Sequence, residues 1–471
     1  MGRSHNQEIP VTSPHDEVTH IGDRRELMAD DSLIDRLDDV ALTLHRPTPK
    51  EVVLVHDRPW EGNVCFYHTV LYDNGKYQMY YRGAHYDDIG DRSIGSQVVC
   101  YAESDDGISW NKPDLGLFSF DGDTNNNIIW DVEPESHNFS PFIDANPNCP
   151  SEQRYKALGG GRKRLHAFQS SDGIHWSLIQ KDPVITEGAF DSQNLAFWDT
   201  NTQQYRSYFR DFKIHDGVRV RDIMTSTSDD FLNWSTPEWL EYSGAPAEHL
   251  YTNQVTPYFR APHFYLGFPK RFVPERNPFG HEHKGVSDVV FMCGRDGVHF
   301  HRWGEALIRP GLQEERWENR NNFVAHGIVE SSSGIPGTPD ELALYSMEGY
   351  YRGESCQMRR YAVRPDGFVS ARAGLSGGDL TTTPISFSGN RLSLNMSTSA
   401  AGKLSVEIQS PHRKPLEGFT IADCDDIYGD DLEKEITWNG SGDLSVLSGT
   451  PVRLRIRLSD ADLYAYRFFD A

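Results

Sequence analysis

A seven-residue phrase recurs along the chain. It reads Ser104-Asp105-Asp106-Gly107-Ile108-Ser109-Trp110 and returns as Ser170-Ser171-Asp172-Gly173-Ile174-His175-Trp176. Looser copies are Ser228-Asp229-Asp230-Phe231-Leu232-Asn233-Trp234, Gly294-Arg295-Asp296-Gly297-Val298-His299-Phe300 and Arg364-Pro365-Asp366-Gly367-Phe368-Val369-Ser370. The glycine position falls at 107, 173, 231, 297 and 367, spacings of 66, 58, 66 and 70 residues. Asp-Gly between strand-like runs marks a tight turn, because Gly accepts the positive φ such a turn needs. The aromatic residue that follows is what the next strand would bury. Two β-rich runs precede each copy, for example 77–81 and 97–101 before the first, and 205–209 and 223–225 before the third. A strand order repeated at a fixed period, with about four strands per unit, predicts a β-propeller. Five units predict five blades. An ordinary β-sandwich with a recurrent turn is the alternative, but it has no reason to repeat its whole strand order.

The period stops at Ala373-Gly374-Leu375-Ser376-Gly377-Gly378, and strand-like runs without repetition follow to the end. The expectation is an all-β chain: a polar tail over 1–23, a five-bladed β-propeller over 24–374 and a C-terminal β-sandwich over 375–471. The alternating run 40–44 is the candidate strand that closes the ring. Three polar linkers, 84–96, 131–150 and 274–285, are long enough to be functional or mobile loops.

Among 471 residues the formal charge is −23, which opposes binding to nucleic-acid phosphates. No apolar run reaches the ~18 residues of a membrane helix, so neither nucleic acid nor membrane is expected as a partner. Residues 1–7 are polar and lack a secretory leader's pattern, which suits a cytoplasmic protein or an exported one whose leader has been removed. The six cysteines are scattered without metal-ligand spacing, and Cys65, Cys100, Cys293 and Cys356, in or beside strand-like runs, read as small buried hydrophobes.

In a propeller the innermost strands surround one channel, so polar residues just ahead of each repeat's strands converge from distant parts of the chain. The first repeat offers Asp57, Glu61 and His68; the second, His137, Asn138 and Asp144; the third, Asp191, Gln193 and Asn194. The fourth offers Glu248, His249, Tyr251 and Asn253, and the fifth His326 and Glu348. Charged and amide groups inside apolar strands cost several kcal/mol to bury unpaired, and a wet pocket makes them tolerable. Paired carboxylates with separated pKa values are what glycoside hydrolysis needs, one as acid and one as base or nucleophile. Amides and aromatics would hold the sugar. Asp191 is the expected essential carboxylate, with Glu61 or Glu248 as partner and Asp144 as a further candidate. His68, His137, Asn138, Gln193, Asn194, Tyr251, Asn253, Glu348 and Trp60 are the expected substrate contacts.

The Asp-Gly-Ile-x-Trp turns, the acid on the inner strand of blade three and the C-terminal sandwich together resemble the five-bladed propeller glycoside hydrolases of families 32 and 43. The resemblance runs from about residue 24 to the end. It implies cleavage of a terminal bond in an oligo- or polysaccharide, a furanoside such as a fructoside or arabinoside foremost. Those families use an aspartate in blade one, a modulating aspartate in blade two and a glutamate in blade three. Here Asp191 stands at the blade-three place and Asn138 near the blade-two place, while the blade-one place falls on Tyr67-His68, neither a carboxylate. The resemblance also implies a cation on the channel axis near His326, a structural calcium, with no other cofactor required. The departure in blade one leaves a carbohydrate-binding propeller without turnover as a rival, and a protein-interaction scaffold as another.

Overall fold

The computed structural model describes residues 17–471 except 88–91, 134, 162 and 352–355. Apart from short 3-10 turns, the described elements are all strands. The chain forms two compact units: Arg46–Pro365, and the N-terminal stretch to His45 together with Asp366–Ala471.

The sheets of Arg46–Pro365 have a propeller arrangement. The first is a meander of Phe66–Asp73, Lys76–Asp87, Arg92–Ser104 and Ile128–Trp130. The second runs Ser140–Ile143, Tyr155–Gly159, His166–Ser170 and Ser177–Leu178; the third runs Leu195–Asp199, Gln204–His215, Val218–Ser228 and Glu238–Trp239. A further sheet joins Phe323–Val324 and Val329–Ser331 to Glu341–Glu348, then to Gln357–Val363 and Thr48–Val55. These four sheets keep the blade plan. The fourth repeat departs from the expected regularity: its sheet has seven strands, around Ala261–Gly267, Val286–Gly294 and His299–Ile308.

In its first four copies the recurrent phrase is the turn between third and fourth strands, and its chemistry repeats. Asp106 Oδ1 accepts from the backbone N–H groups of Ile108 and Ser109 at 2.8 and 2.7 Å, and Asp172 and Asp230 do the same for their followers. The indoles of Trp110, Trp176 and Trp234 donate to the carbonyls of residues 107, 173 and 231. The backbone there is left-handed, with φ of 71° at Gly107, 79° at Gly173 and, without glycine's freedom, 68° at Phe231. Each turn docks on the preceding sheet. Tyr208 of the third sheet donates to Gly297 O, and the Phe231 ring packs 5.5 Å from Phe142 of the second. A Cβ on Gly173 would lie 2.5 Å from the Tyr80 hydroxyl of the first sheet. Tyr345, on Glu341–Glu348, donates to Gly107 O of the first sheet at 2.7 Å, which carries the succession round to its start.

The ring-closing strand is Thr48–Val55, paired antiparallel with Gln357–Val363, and not residues 40–44. Ala41–Leu44 pairs instead with Val369–Ala373 in the other unit. That unit holds an eight-stranded sheet ordered Ile34–Asp38, Gly378–Thr382, Arg453–Phe469, Val369–Ala373, Ala41–Leu44, with Glu26–Leu27 and Arg391–Gln409 also on Arg453–Phe469. A two-stranded parallel sheet pairs Thr19–Gly22 with Ile385–Phe387, and one apolar core includes Leu394, Val406, Ile456 and Phe468. The expected boundaries at 24 and 374 therefore move, because residues 24–45 supply strands to the C-terminal unit. The expected linker 84–96 is largely strand: Lys76–Asp87 and Arg92–Ser104 pair beyond the sheet body, and residues 88–91 lie outside the described ones. All six cysteines are free thiols, four of them buried.

Candidate functional site

The segments entering the inner strands meet and knit through buried amides. Asn138 donates to Phe190 O and Ser192 O at 3.1 and 2.8 Å and accepts from Arg82 at 3.2 Å. Gln193 donates to His68 O and Thr69 Oγ1 at 2.9 and 3.0 Å and accepts from Gln254 at 2.8 Å. Asn253 donates to Gln193 O and Tyr208 O; Asn194 donates to Phe190 O and Ser192 O. Left-handed non-glycine residues gather in these segments: Tyr67, Asn138, Gln254, Arg320, Asn322 and Tyr351. Strain of this kind persists only where surrounding contacts enforce it, and it concentrates at functional sites.

On this network stands Asp191. Its side chain is 63% accessible, although Tyr67, Tyr251 and Arg210 around it are buried, so its carboxylate sits in an open recess. Tyr251 donates to Oδ2 at 3.1 Å and Tyr67 to Oδ1 at 3.5 Å; His137 Nε2 lies 3.8 Å from Oδ1. Arg210 donates to the Asp191 carbonyl at 2.8 Å and reaches its carboxylate at 3.9 Å. Desolvation by the walls of the recess pushes the Asp191 pKa up, and the positive charges of His137, Arg210, Arg320 and Arg82 more than offset it, so the group stays below the ordinary aspartate value. The same burial, with Asp191 beside it, raises the Tyr251 pKa and keeps the phenol protonated.

The structure therefore brings Asp191, His137 and Tyr251 together, with Asn138, Gln193, Asn194 and Asn253 as the scaffold beneath. It does not bring the other expected carboxylates to Asp191. Glu61 is fully buried and accepts from Tyr81 at 2.5 Å, Lys112 at 2.7 Å and Arg58 N at 2.8 Å, with His56 at 3.6 Å. Burial opposes its charge, yet the His56 contact and the Lys112 ammonium hold its pKa at about 2. Glu248 is clamped by Arg271 and Arg302. Asp144 is buried against Lys156 and accepts from Tyr205 at 2.7 Å. Glu348 is buried among Arg359, Arg316 and Tyr361. Each is paired with cations or phenols of its own surroundings and none contacts Asp191.

His68 is buried 2.9 Å from His56, with its pKa pushed well down by burial, and only its carbonyl serves the network. The Trp60 indole donates to Asn127 Oδ1 and its ring faces Phe120. His326 bolts the inner strands together, donating from its N–H to His68 O and accepting from Val70 N. Its imidazole is buried, with a pKa lowered to about 4. Calcium needs several oxygen ligands. Among the described residues no group of three or more His, Cys, Asp or Glu is placed to hold a metal.

Sequence reasoning missed the cations. Arg82 and Arg210 end aromatic runs, Tyr80-Tyr81-Arg82 and Tyr208-Phe209-Arg210, at matching places in two repeats. That recurrence was the available signal.

No protein-family model matches the chain. A search of curated proteins finds no match. Solved structures similar to it include an N-acetylgalactosamine deacetylase from F. plautii in complex with blood group B trisaccharide (TM-score 0.43, 13% identity, 69% of this chain and 94% of that one). Another is an α-L-arabinofuranosidase from Clostridium thermocellum (0.37, 12%, 66% and 93%). A third is a family 32 β-fructofuranosidase from Bombyx mori (0.41, 10%, 91% and 94%).

Proposed function

We propose that the protein is a glycoside hydrolase whose essential carboxylate is Asp191, carried on a five-bladed propeller, with a β-sandwich formed by the C-terminal unit. The observation that carries this reading is an accessible, ionised carboxylate at the convergence of the repeats, held by two buried phenols. Asp191 acts as the base that takes a proton from water, or as the nucleophile at the anomeric carbon. Proton donors for the leaving oxygen stand beside it: the Tyr251 hydroxyl at 3.1 Å and His137 at 3.8 Å. The substrate is an oligo- or polysaccharide, cleaved at its terminus, with furanosides such as fructosides and arabinosides first to try. The aromatic faces of Tyr67 and Tyr251 supply stacking surface.

The test is sugar release from a glycan panel by the wild type and by Asp191→Asn. The variant is expected to lose activity by a factor of about 10² or more while its melting temperature is unchanged. Full activity in the variant on any substrate the wild type cleaves removes Asp191 from the mechanism.

One observation favours a second reading, a saccharide-binding propeller without turnover. Among the described residues no second carboxylate contacts Asp191 or its phenols. Saturable saccharide binding, with no new product by mass spectrometry after prolonged incubation, selects that reading.

A further inference from the structure

The recess holds more positive charge than a hydrolysis of neutral sugar uses. Around the Tyr251 ring lie Lys270 Nζ at 4.6 Å from the centroid, Arg210 Cζ at 4.9 Å and Arg221 Cζ at 5.7 Å. The Phe66 ring lies 5.6 Å from Lys270 Nζ and 5.9 Å from Arg82 Cζ. Arg82 and Arg320 both donate to the Tyr350 hydroxyl, at 3.3 and 3.4 Å. Among the described residues the one ion pair these five cations make is Arg210 with Asp191 at 3.9 Å. The chain as a whole carries −23, so the positive charge here is a local arrangement and not a trait of composition.

Lys270 is the sharpest case. It is fully buried, and its Nζ has no hydrogen-bond partner among the described residues. Aromatic faces and like charges surround it. Burial, followed by the fields of Arg320 and Arg221, pushes its pKa well below the ordinary lysine value. Removing an ammonium from water without a partner is costly, and evolution tolerates that cost where a ligand supplies the counter-charge.

We propose that Lys270, with Arg82, Arg210, Arg221 and Arg320, forms an anion subsite beside Asp191, so that the saccharide taken here carries a carboxylate, sulfate or phosphate group. The proposal rests on the reading of this recess as a saccharide site and names the class of sugar. Guanidinium forks match the paired oxygens of all three anions, and the Lys270 ammonium adds a point charge. A neutral sugar of the same shape leaves Lys270 unpaired and binds more weakly for that reason.

Calorimetric titration of the full-length protein tests it. The probes are uronic-acid disaccharides, their carboxyl-reduced counterparts, sulfated and phosphorylated sugars, and inorganic sulfate and phosphate alone. An acidic sugar is expected to bind at least about tenfold tighter than its neutral counterpart, with a preference that falls as salt rises. Lys270→Met, checked for folding by thermal melting, should lose the tenfold preference, and Arg221→Gln, which leaves Lys270 in place, should weaken it. The arm that binds best identifies the anion. Equal affinity for charged and neutral partners overturns the proposal, as does undiminished preference in both variants or no saturable binding of any anionic probe. Acidic sugar bound without product sinks the hydrolase reading and keeps the subsite. Cleavage of neutral sugar with no charge preference does the reverse.

Discussion

Replacing Glu61 by Gln removes the charge that Lys112 and His56 face inside the first sheet while keeping the side chain's shape. Lys112 then keeps Asp57 at 3.1 Å but loses the closer and fully buried of its two carboxylate partners, at 2.7 Å, which costs about 1–3 kcal/mol. Glu61→Gln is therefore expected to lower the denaturant midpoint at neutral pH, without the selective loss of activity expected of Asp191→Asn. The acid side gives the sign. Glu61 titrates at about 2 when folded, against an ordinary 4.5. Its contribution is thus complete above about pH 4.5 and is lost as pH falls toward 2. Stability measured against pH should drop in that window for the wild type and drop less for Glu61→Gln. Superimposable acid limbs would mean that the His56–Glu61–Lys112 cluster carries no such charge. The contrast with Asp191 explains what could be seen beforehand. Asp191, His137 and Tyr251 were legible because their places recur from repeat to repeat. The ionic partners of Glu61, Glu248 and Asp144 were not, because pairing is a tertiary fact that spacing does not encode.

At the scale of the element, the recurring turn does two separable things: it bends left-handed, and it docks on the preceding sheet. Gly173 and Gly217 part the two. Both have φ near 80°, but a Cβ at Gly217 meets nothing within 4 Å, whereas one at Gly173 lies 2.5 Å from the Tyr80 hydroxyl. Gly217→Ala is expected to cost about 1 kcal/mol through backbone strain alone. Gly173→Ala should cost a further ~1–3 kcal/mol, because the Tyr80 side chain must move within a packed interface. Chemical denaturation of both variants measures the difference, and equal costs would refute docking by this turn. The turns were readable from sequence since Asp, Gly and Trp act within a few residues of one another. The pairing of Lys76–Asp87 with Arg92–Ser104 was not, because polar residues on a paired strand look the same as those of a loop.

At the scale of the whole chain, sequence order and sheet membership diverge, and the N-terminal residues show why. Run 41–44 alternates and run 48–55 ends in four consecutive apolar residues, and both patterns suit a strand, so pattern alone could not say which of them closes the ring. The answer depends on partners about three hundred residues away: Leu54 opposite Met358 and Val52 opposite Arg359 for one, Leu42 opposite Ala371 for the other. Thr48–Val55 also brings Glu51 to Arg360, and its Val55 carbonyl accepts from Lys112. A chain comprising 46–365 keeps every strand of its sheets and is expected to unfold cooperatively. One comprising 57–365 leaves Gln357–Val363 as an exposed edge and loses the Lys112 acceptor, so it should aggregate or melt many degrees lower. Residues 366–471 alone should likewise fail to fold, since Ile34–Asp38, Ala41–Leu44 and Thr19–Gly22 would be missing from beside Gly378–Thr382, Val369–Ala373 and Ile385–Phe387. Joining residues 17–45 to that fragment through a flexible linker restores those strands and should restore a cooperative melt. Circular dichroism and calorimetry on the four chains decide the matter. A stable, cooperative 366–471 fragment would show that the N-terminal strands decorate the unit instead of completing it.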